Sequence, residues 1–356
     1  MAQIYVNRPG LTLQRKPVTG EVVPFVRATV LGVGEVQVVG GDSRRCNLFC
    51  DTEELGAVSI SFWDKFSDVG EVVWRFATLH LFNLREVPDT EGLYSTTKDS
   101  LVVLEPDFLV NVTEIAGCFN RGGANPLMYL LKKFIGFEDS EPIILGKVVN
   151  TCFDELLINP HAQFEEIFGD EIRRNFISLA TMPSFNDDTV NSLRQNAQRQ
   201  YNTLQDIVRC LEIDSAVIEP TFLSDKYGLQ GRLDVMFEYA GDGNRKNIVE
   251  LKSGSAPGLH IGMWGNHLMQ VSCYNLLLDS SFPDRTGGGN ILYSSAEVEP
   301  LRNAMNIIQL KQDALMLRNR IVALEHELAE GAAESIQRIN PDSFGVAPPF
   351  IEEDLL

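Results

Sequence analysis

The stretch GRLDVMFEYAGDGNRKNIVELKSG, residues 231–254, constrains the fold more than any other part of the chain. Two runs rich in β-branched and aromatic residues flank GDGNRK, a Gly/Asp/Asn segment of hairpin composition. Asp234 lies within LDVMF, and Glu250 and Lys252 within NIVELK. A charge embedded in an apolar strand needs a partner. With the hairpin tip near Asp242 and Gly243, Asp234 stands opposite Glu250 or Lys252, at the ~5 Å Cβ separation of cross-strand neighbours. Side chains alternate along a strand, so Glu250 and Lys252 share one face, and Val249 and Leu251 point the other way into a core. An aspartate and a glutamate converging with one open edge suit a hard cation such as Mg²⁺, held by a few oxygens and several waters. The lysine adds a group that handles a proton or stabilises charge beside a metal-bound water. The competing reading is a surface set of cross-strand charges. Against it stand the apolar surroundings, the GSG after the lysine, and a following helix with Gln270 and Tyr274 at i and i+4. That spacing places the two on one helix face, where both reach a phosphate or the lysine; taken alone, the pair reads as core packing.

The rest of the chain divides by texture. Residues 21–104 fall into short β-rich runs, VVPFVRATVLGV, EVQVV, AVSISFW, EVVWRFATLHLFNLREV and DSLVVLEP, separated by Gly, Asp and Ser turns. They predict a small, mostly antiparallel barrel or sandwich. From Glu105 helical segments take over; Val190, Leu193, Ala197, Tyr201, Leu204 and Val208 recur at three and four residues and predict a helix over 187–211. After the hairpin come a helix at 266–279, a strand in GGGNILYSS and a long helix over 300–330. In that last helix Leu310, Ala314, Leu317, Ile321, Leu324 and Leu328 form a stripe, read as a docking face on the body with a coiled-coil seam as the alternative. The segment from Gly331, with its prolines and acidic residues, reads as a tail or linker. The domains expected are therefore 1–104, 105–299 and 300–356.

Thirty Lys and Arg against 49 Asp and Glu give a net charge of −19. Indiscriminate coating of nucleic acid is excluded by that balance; a nucleic-acid partner needs a local basic lining or bound cations. Arg121, Lys132, Lys133, Lys147 and Arg232 are the candidates for such a lining, each equally an ordinary solvated charge. No run approaches the ~18 apolar residues of a membrane span, and the N-terminus does not read as a secretory signal, so a cytoplasmic location is expected. The six cysteines, without that signal, are expected to be reduced.

Asp234 followed by Glu250-x-Lys252 and then Gln270-xxx-Tyr274 resembles the PD-(D/E)XK nuclease superfamily, and the wording YGLQGRLDVMFE, IVELKSG and HLMQVSCYNLLL resembles its RecB-like branch. More narrowly it is similar to the nuclease domain of the Dna-two type nuclease-helicases and their Cas-four relatives. IEPTFLSDKYGLQG, EPDFLVNVTEIAGCF and ALMLRNRIVAL extend the likeness, as does the β-rich start, which resembles that family's oligonucleotide-binding (OB) barrel. The resemblance implies an α/β (α+β) fold: a restriction-endonuclease-like core with a mixed central sheet flanked by helices, preceded by a small OB-like barrel. Two departures stand out. Where the family's early helix ends in a metal-binding histidine, GKVVNTCFDELL holds Asn150, whose amide oxygen still suits a hard cation. Cys118 matches the first of four cluster cysteines, but none follows Cys273, so no iron–sulfur cluster is expected. Cys46 and Cys50, in CNLFC, lack a second pair at zinc-ligand spacing.

These readings imply a metal-dependent deoxyribonuclease acting on single-stranded DNA, flaps or ends in repair, recombination or defence. Mg²⁺ or Mn²⁺ is expected on Asp234, Glu250, the Leu251 carbonyl and Asn150; Lys252 orients or deprotonates water; Gln270 and Tyr274 position the phosphate. Glu219 matches an acidic position of the family and is expected to support the site from behind, and His267, three residues before Gln270, is a candidate to face it. Phe62, Trp63 and Trp74 are candidates to stack on unpaired bases, and equally core residues. The expected partners are DNA and a separate or fused helicase, with a monomer favoured. The alternatives are a catalytically silent DNA-end-binding module and an interaction scaffold that uses the 300–330 helix as a dimer seam.

Overall fold

The computed structural model describes residues 20–120, 123–134, 140–183, 185–211, 215–239 and 241–337. Arg121 and the segment beyond 337 lie outside the described residues. No described helix is long and apolar enough to cross a membrane. The chain forms two compact units, each assembled from separated segments: residues 1–131, 223–230 and 307–356 in the first, 132–222 and 231–306 in the second. The contacts thus divide the chain otherwise than at 104 and 299.

The first unit opens with β1 (Val22–Val33), β2 (Gln37–Val38), β3 (Arg44–Thr52) and β4 (Gly56–Trp63). A short helical turn leads into α1 (Val69–Val72), then β5 (Thr78–Glu86), β6 (Leu93–Ser95) and β7 (Leu101–Leu104). β1 pairs with both β3 and β5, and the path β1-β3-β4-β6-β5 returns to β1, so five strands close a barrel. The closing β4–β6 pair is parallel and the other four pairs are antiparallel. Alternation fills the interior with Val26, Ala28 and Val30 from β1, Leu48 from β3, Ile60 and Phe62 from β4 and Leu79 and Leu81 from β5. The sequence predicted most of these strands but neither β3, whose RRCNLFCDT is broken by charges, nor the three-residue β6. It also ran Glu71 and Val72 into β5, whereas they belong to α1. Cys46 and Cys50 are fully buried barrel thiols, pushed by burial to about 11 and about 12.

Past the barrel lie β8 (Val110–Asn111), α2 (Val112–Gly117), β9 (Phe119–Asn120), β10 (Gly123–Ala124) and α3 (Leu127–Phe134). Asn111 and Glu114 start α2 with a reciprocal capping box.

The second unit has α4 (Glu141–Ile158), α5 (Phe164–Arg174), α6 (Phe176–Thr181) and α7 (Asp187–Cys210). Its strands begin with β11 (Ser215–Ile218), β14 (Val235–Tyr239) and β15 (Asp242–Lys252), and the chain between β11 and β14 carries β12 (Thr221–Ser224) and β13 (Leu229–Arg232), each divided between the units at 222/223 and 230/231. α8 (Gly265–Ser281), β16 (Gly289–Tyr293) and β17 (Leu301–Ala304) follow. The mixed sheet runs β11-β14-β15-β16-β17, with only β15–β16 parallel. Val235, Phe237, Val249, Leu251 and Leu292 point to one face and join α4, α5 and α7 in a core. Ile291 and Tyr293 point to the other, where Val271 of α8 packs.

Two sequence expectations are corrected here. The expected hairpin turn GDGNRK is strand from Asp242 onward, because a register shift at Glu238/Tyr239 pairs Tyr239 with Asp242 and moves the reversal upstream. Residues 300–304 are not helical either: Leu301–Ala304 is an edge strand on β16, and α9 (Ile308–Gln337) starts later, leaving helical angles at Gly331.

α9 belongs to the first unit. Its stripe residues Ala314, Leu317, Ile321 and Leu324 are buried. Arg318, with no exposed surface, donates to the carbonyls of Leu104, Glu105, Phe108 and Gly228. Asn319 beside it accepts from Leu104 N–H at 2.9 Å and donates to Val102 O at 2.8 Å. Gly228 has φ +62, and a Cβ there would stand 2.2 Å from Arg318 Nη2, so only glycine fits.

Candidate active site

Asp234, Glu250, Lys252, Gln270 and Tyr274 come together on one face of the mixed sheet. The β14–β15 register pairs Val235 with Val249, which brings Asp234 opposite Glu250 rather than Lys252. Val235 and Phe237 point into the core on one face, so alternation turns Asp234 to the face that carries Glu250 and Lys252. The chain breaks strand pairing at Leu233 and Asp234: Leu233 N–H donates to Pro220 O, and Glu219 N–H donates to Asp234 O at 2.8 Å. This break frees the Asp234 carboxylate, whose Oδ2 accepts from Leu251 N–H at 2.6 Å. A residue's N–H and C=O point the same way across a ladder, so the Leu251 carbonyl also faces the side on which Asp234 sits.

Lys252 Nζ donates to Glu250 Oε1 and to Gln270 Oε1, both at 2.9 Å. Gln270 Nε2 donates to Glu250 Oε1 at 2.6 Å and to the Tyr274 hydroxyl at 3.1 Å. The Tyr274 hydroxyl donates onward to Arg232 O at 2.9 Å. Tyr274 is 1% exposed, so its hydroxyl locks Gln270 to the β13 backbone and has no surface for a phosphate. Glu250 is 3% exposed and unequally served: Oε1 takes two donors, whereas Oε2 is buried with no hydrogen-bond partner. Native structures rarely leave a buried carboxylate oxygen orphaned, so this one needs a ligand or a proton.

The electrostatics agree. Burial, reinforced by Asp234, pushes Glu250 up to about 8, and burial also raises Asp234 despite the Leu251 N–H. Two facing carboxyls in low dielectric do not both ionise without a cation. Burial pulls the Lys252 ammonium down, but Glu250, Asp234 and Tyr293 outweigh it, so the lysine ends above its ordinary value and stays charged.

A residue that the sequence reading missed joins the site from α4. Asp154 is held up to about 7 by burial, then by Glu219 and Asp234. It stands four residues after Asn150 and eight after Gly146, on one helix face. At the Gly146 end, an added Cβ would meet Ser253 Oγ at 3.5 Å, so this face of α4 looks onto the end of β15 and toward Asp234. Asn150 lies between the two, exposed. The spacing of four in NTCFD was the available signal for Asp154. Glu219 takes φ +50, a strained value for a non-glycine residue, and accepts from Arg232 Nη1 at 3.1 Å. That pairing engages Arg232.

No family model matches the chain, and no curated protein matches it.

Among the described residues, no group of three or more His, Cys, Asp and Glu side chains is disposed to hold a metal ion. Two carboxylates converge, with a backbone carbonyl on their side and an amide and a further acid on α4. That donor set is all oxygen, which suits Mg²⁺ or Mn²⁺ and not zinc. In the barrel, Phe62 is fully buried, which removes it from the candidate base-stacking residues. Trp63 is half-buried beneath the Arg45 guanidinium, 5.5 Å from its ring, and Trp74 stacks on His326 at 3.8 Å.

Proposed function

We propose that the chain is a divalent-cation-dependent nuclease that hydrolyses phosphodiester bonds of DNA single strands, flaps or ends. The observation that carries this reading is the orphaned Glu250 Oε2, buried beside Asp234 and aligned by Gln270 and Lys252. Asp234, Glu250 and the Leu251 carbonyl would hold the cation, with Asn150 beside them and Asp154 able to reach it through water. Bound there, the cation supplies charge that offsets the negative charge growing on the phosphate, and it acidifies water.

Lys252 keeps one ammonium proton beyond those given to Glu250 and Gln270, and that proton orients the attacking water or the phosphate. Gln270, its amide fixed by Tyr274, holds the Glu250 carboxylate in one rotamer and sets the lysine height above the sheet. The barrel order, its parallel closure through β4–β6 and the helix between β4 and β5 support the OB-like reading of the first unit, which would hold unpaired bases.

Only two carboxylates converge, and this favours a second reading: a DNA-end-binding module that has lost catalysis. The scaffold reading is weakened, because the α9 stripe is buried within its own unit. A Mn²⁺-dependent cleavage assay on a fluorescent single strand, run with Asp234→Ala and Lys252→Ala, separates the two. Cleavage by the wild type alone supports the nuclease. DNA binding without cleavage selects the silent module, and activity retained in either variant overturns the site.

A further inference from the structure

Beside Lys252, on the side away from Asp234, lies a second polar chain that the sequence motif does not include. β16 runs parallel to β15 with Tyr293 paired to Lys252, so the two side chains are neighbours on the α8 face. The Tyr293 hydroxyl accepts from Trp264 N–H at 3.2 Å and lies 3.0 Å from His267 Nδ1. A hydroxyl has one proton to give. Trp264 N–H can only donate, so among the described residues Nδ1 is the one acceptor at hand for the Tyr293 proton; the arrangement that uses this proton makes Nδ1 the acceptor and places the imidazole proton on Nε2.

His267 occupies the first turn of α8, on the same helix face as Gln270 and Tyr274, three and seven residues later. Gln270 holds Lys252 Nζ at 2.9 Å, so His267 is the next group along that face, one turn nearer the helix start. Its Nε2 has no partner among the described residues and is not sealed in the interior. The N-cap residue Trp264 provides no side-chain cap, so the first-turn amides of α8 are also free to face an anion. Burial and then the Lys252 charge hold the ring down to about 3, so it stays neutral at any working pH.

We infer that His267 is a substrate-contacting residue whose Nε2–H donates to a phosphodiester oxygen of the strand beside Lys252, with Tyr293 and the Trp264 amide fixing the tautomer that makes this possible. This rests on the nuclease reading and deepens it. The site then grips the strand with one charged donor, Lys252, and one neutral donor that does not compete with the cation for the carboxylates. Tyr293 is a positioning residue, acting through His267.

The test is steady-state cleavage of a single strand by the full chain with Mn²⁺. It compares wild type, His267→Ala, His267→Gln and Tyr293→Phe on ordinary DNA and on DNA with single methylphosphonates placed stepwise along the strand. His267→Ala is expected to slow cleavage of ordinary DNA by about tenfold to a hundredfold, the range for one neutral donor at a developing oxyanion. His267→Gln, which keeps an N–H, should recover most of that loss, and Tyr293→Phe should lose less than His267→Ala. At one methylphosphonate position His267→Ala should cost nothing further, because the contacted oxygen is already neutralised. Its pH profile should be lower than that of wild type but of the same shape, since the neutral imidazole contributes no titration between pH 5 and 8. Wild-type rates in His267→Ala, or an equal loss at every methylphosphonate position, overturn this inference and leave the nuclease reading standing. Failure of the wild type itself to cleave overturns both.

Discussion

Arg318 of the first unit and Lys252 of the second are long cations drawn away from solvent and treated in opposite ways. Among the described residues Arg318 has no carboxylate partner, and its guanidinium donates to four backbone carbonyls and the Asn319 side chain. Lys252 sits against a carboxylate, yet the far oxygen of that carboxylate is left without a donor. A closed network suits a cation that only holds structure; on the proposed reading, the oxygen left open beside the charged lysine is where the metal would bind. Burial alone does not distinguish the two. The completeness of the hydrogen bonding does.

The largest effect that would break this contrast is on activity. Lys252→Ala and Asp234→Ala are each expected to lower Mn²⁺-dependent cleavage by a factor of roughly a hundred or more while leaving the circular dichroism spectrum and the melting transition cooperative. Next comes stability. Arg318→Met removes one donor from each of four carbonyls, of which Glu105 O keeps the Phe108 N–H and Gly228 O the Val110 N–H, and should lower unfolding free energy by on the order of 3 kcal/mol, read by urea denaturation. Gly228→Ala should act in the same direction, because the added Cβ collides with that guanidinium. If Arg318→Met were as stable as wild type and Lys252→Ala unfolded, the assignment of roles would be reversed.

A smaller effect follows from pH. Glu250 is raised from its ordinary value to about 8 in the folded chain without a cation, so the folded state holds a proton that the unfolded state releases. That contribution to stability is complete below the ordinary glutamate range and is lost as pH rises through about 8. The metal-free protein should therefore melt at lower temperature at pH 8 than at pH 5. Mn²⁺ should restore the melting temperature at the higher pH, and Glu250→Gln should flatten the dependence. A metal-free melting temperature that rises from pH 5 to 8 in wild type and not in Glu250→Gln would contradict the assigned sign.

The smallest expected change is at Asn150. Asn150→His replaces an amide oxygen by a stronger imidazole ligand and should tighten Mn²⁺ binding by about tenfold in calorimetric titration; Asn150→Ala should weaken it. Equal affinities for all three proteins would place Asn150 outside the coordination shell.

Much of this was legible in the sequence. Period-two alternation correctly turned Val249 and Leu251 inward and set Glu250 and Lys252 together, three-and-four spacing correctly placed α7 and the buried stripe of α9, and the helix expected at 266–279 is α8. What escaped depended on neighbours distant in sequence. β3 reads as polar because Arg45, Asn47 and Asp51 line its outward side, and only pairing to β1 and β4 reveals a strand. Tyr293 is an unremarkable strand residue until the parallel register sets it against Lys252. Leu301–Ala304 has no pattern that separates it from the helix behind it; antiparallel pairing to β16 decides it.

The first unit is gathered from three stretches of the chain, and the last of them brings Arg318 to the turns at 104–108 and at 228. During synthesis, then, the barrel strands leave the ribosome well over a hundred residues before the guanidinium that ties off their exit. Until α9 is made, the Leu104 and Phe108 carbonyls lack the donors that Arg318 brings and turn to water. Folding of this unit therefore waits on its C-terminal segment, and a chain stopped at 306 would carry every motif residue of the second unit while leaving the first unfinished.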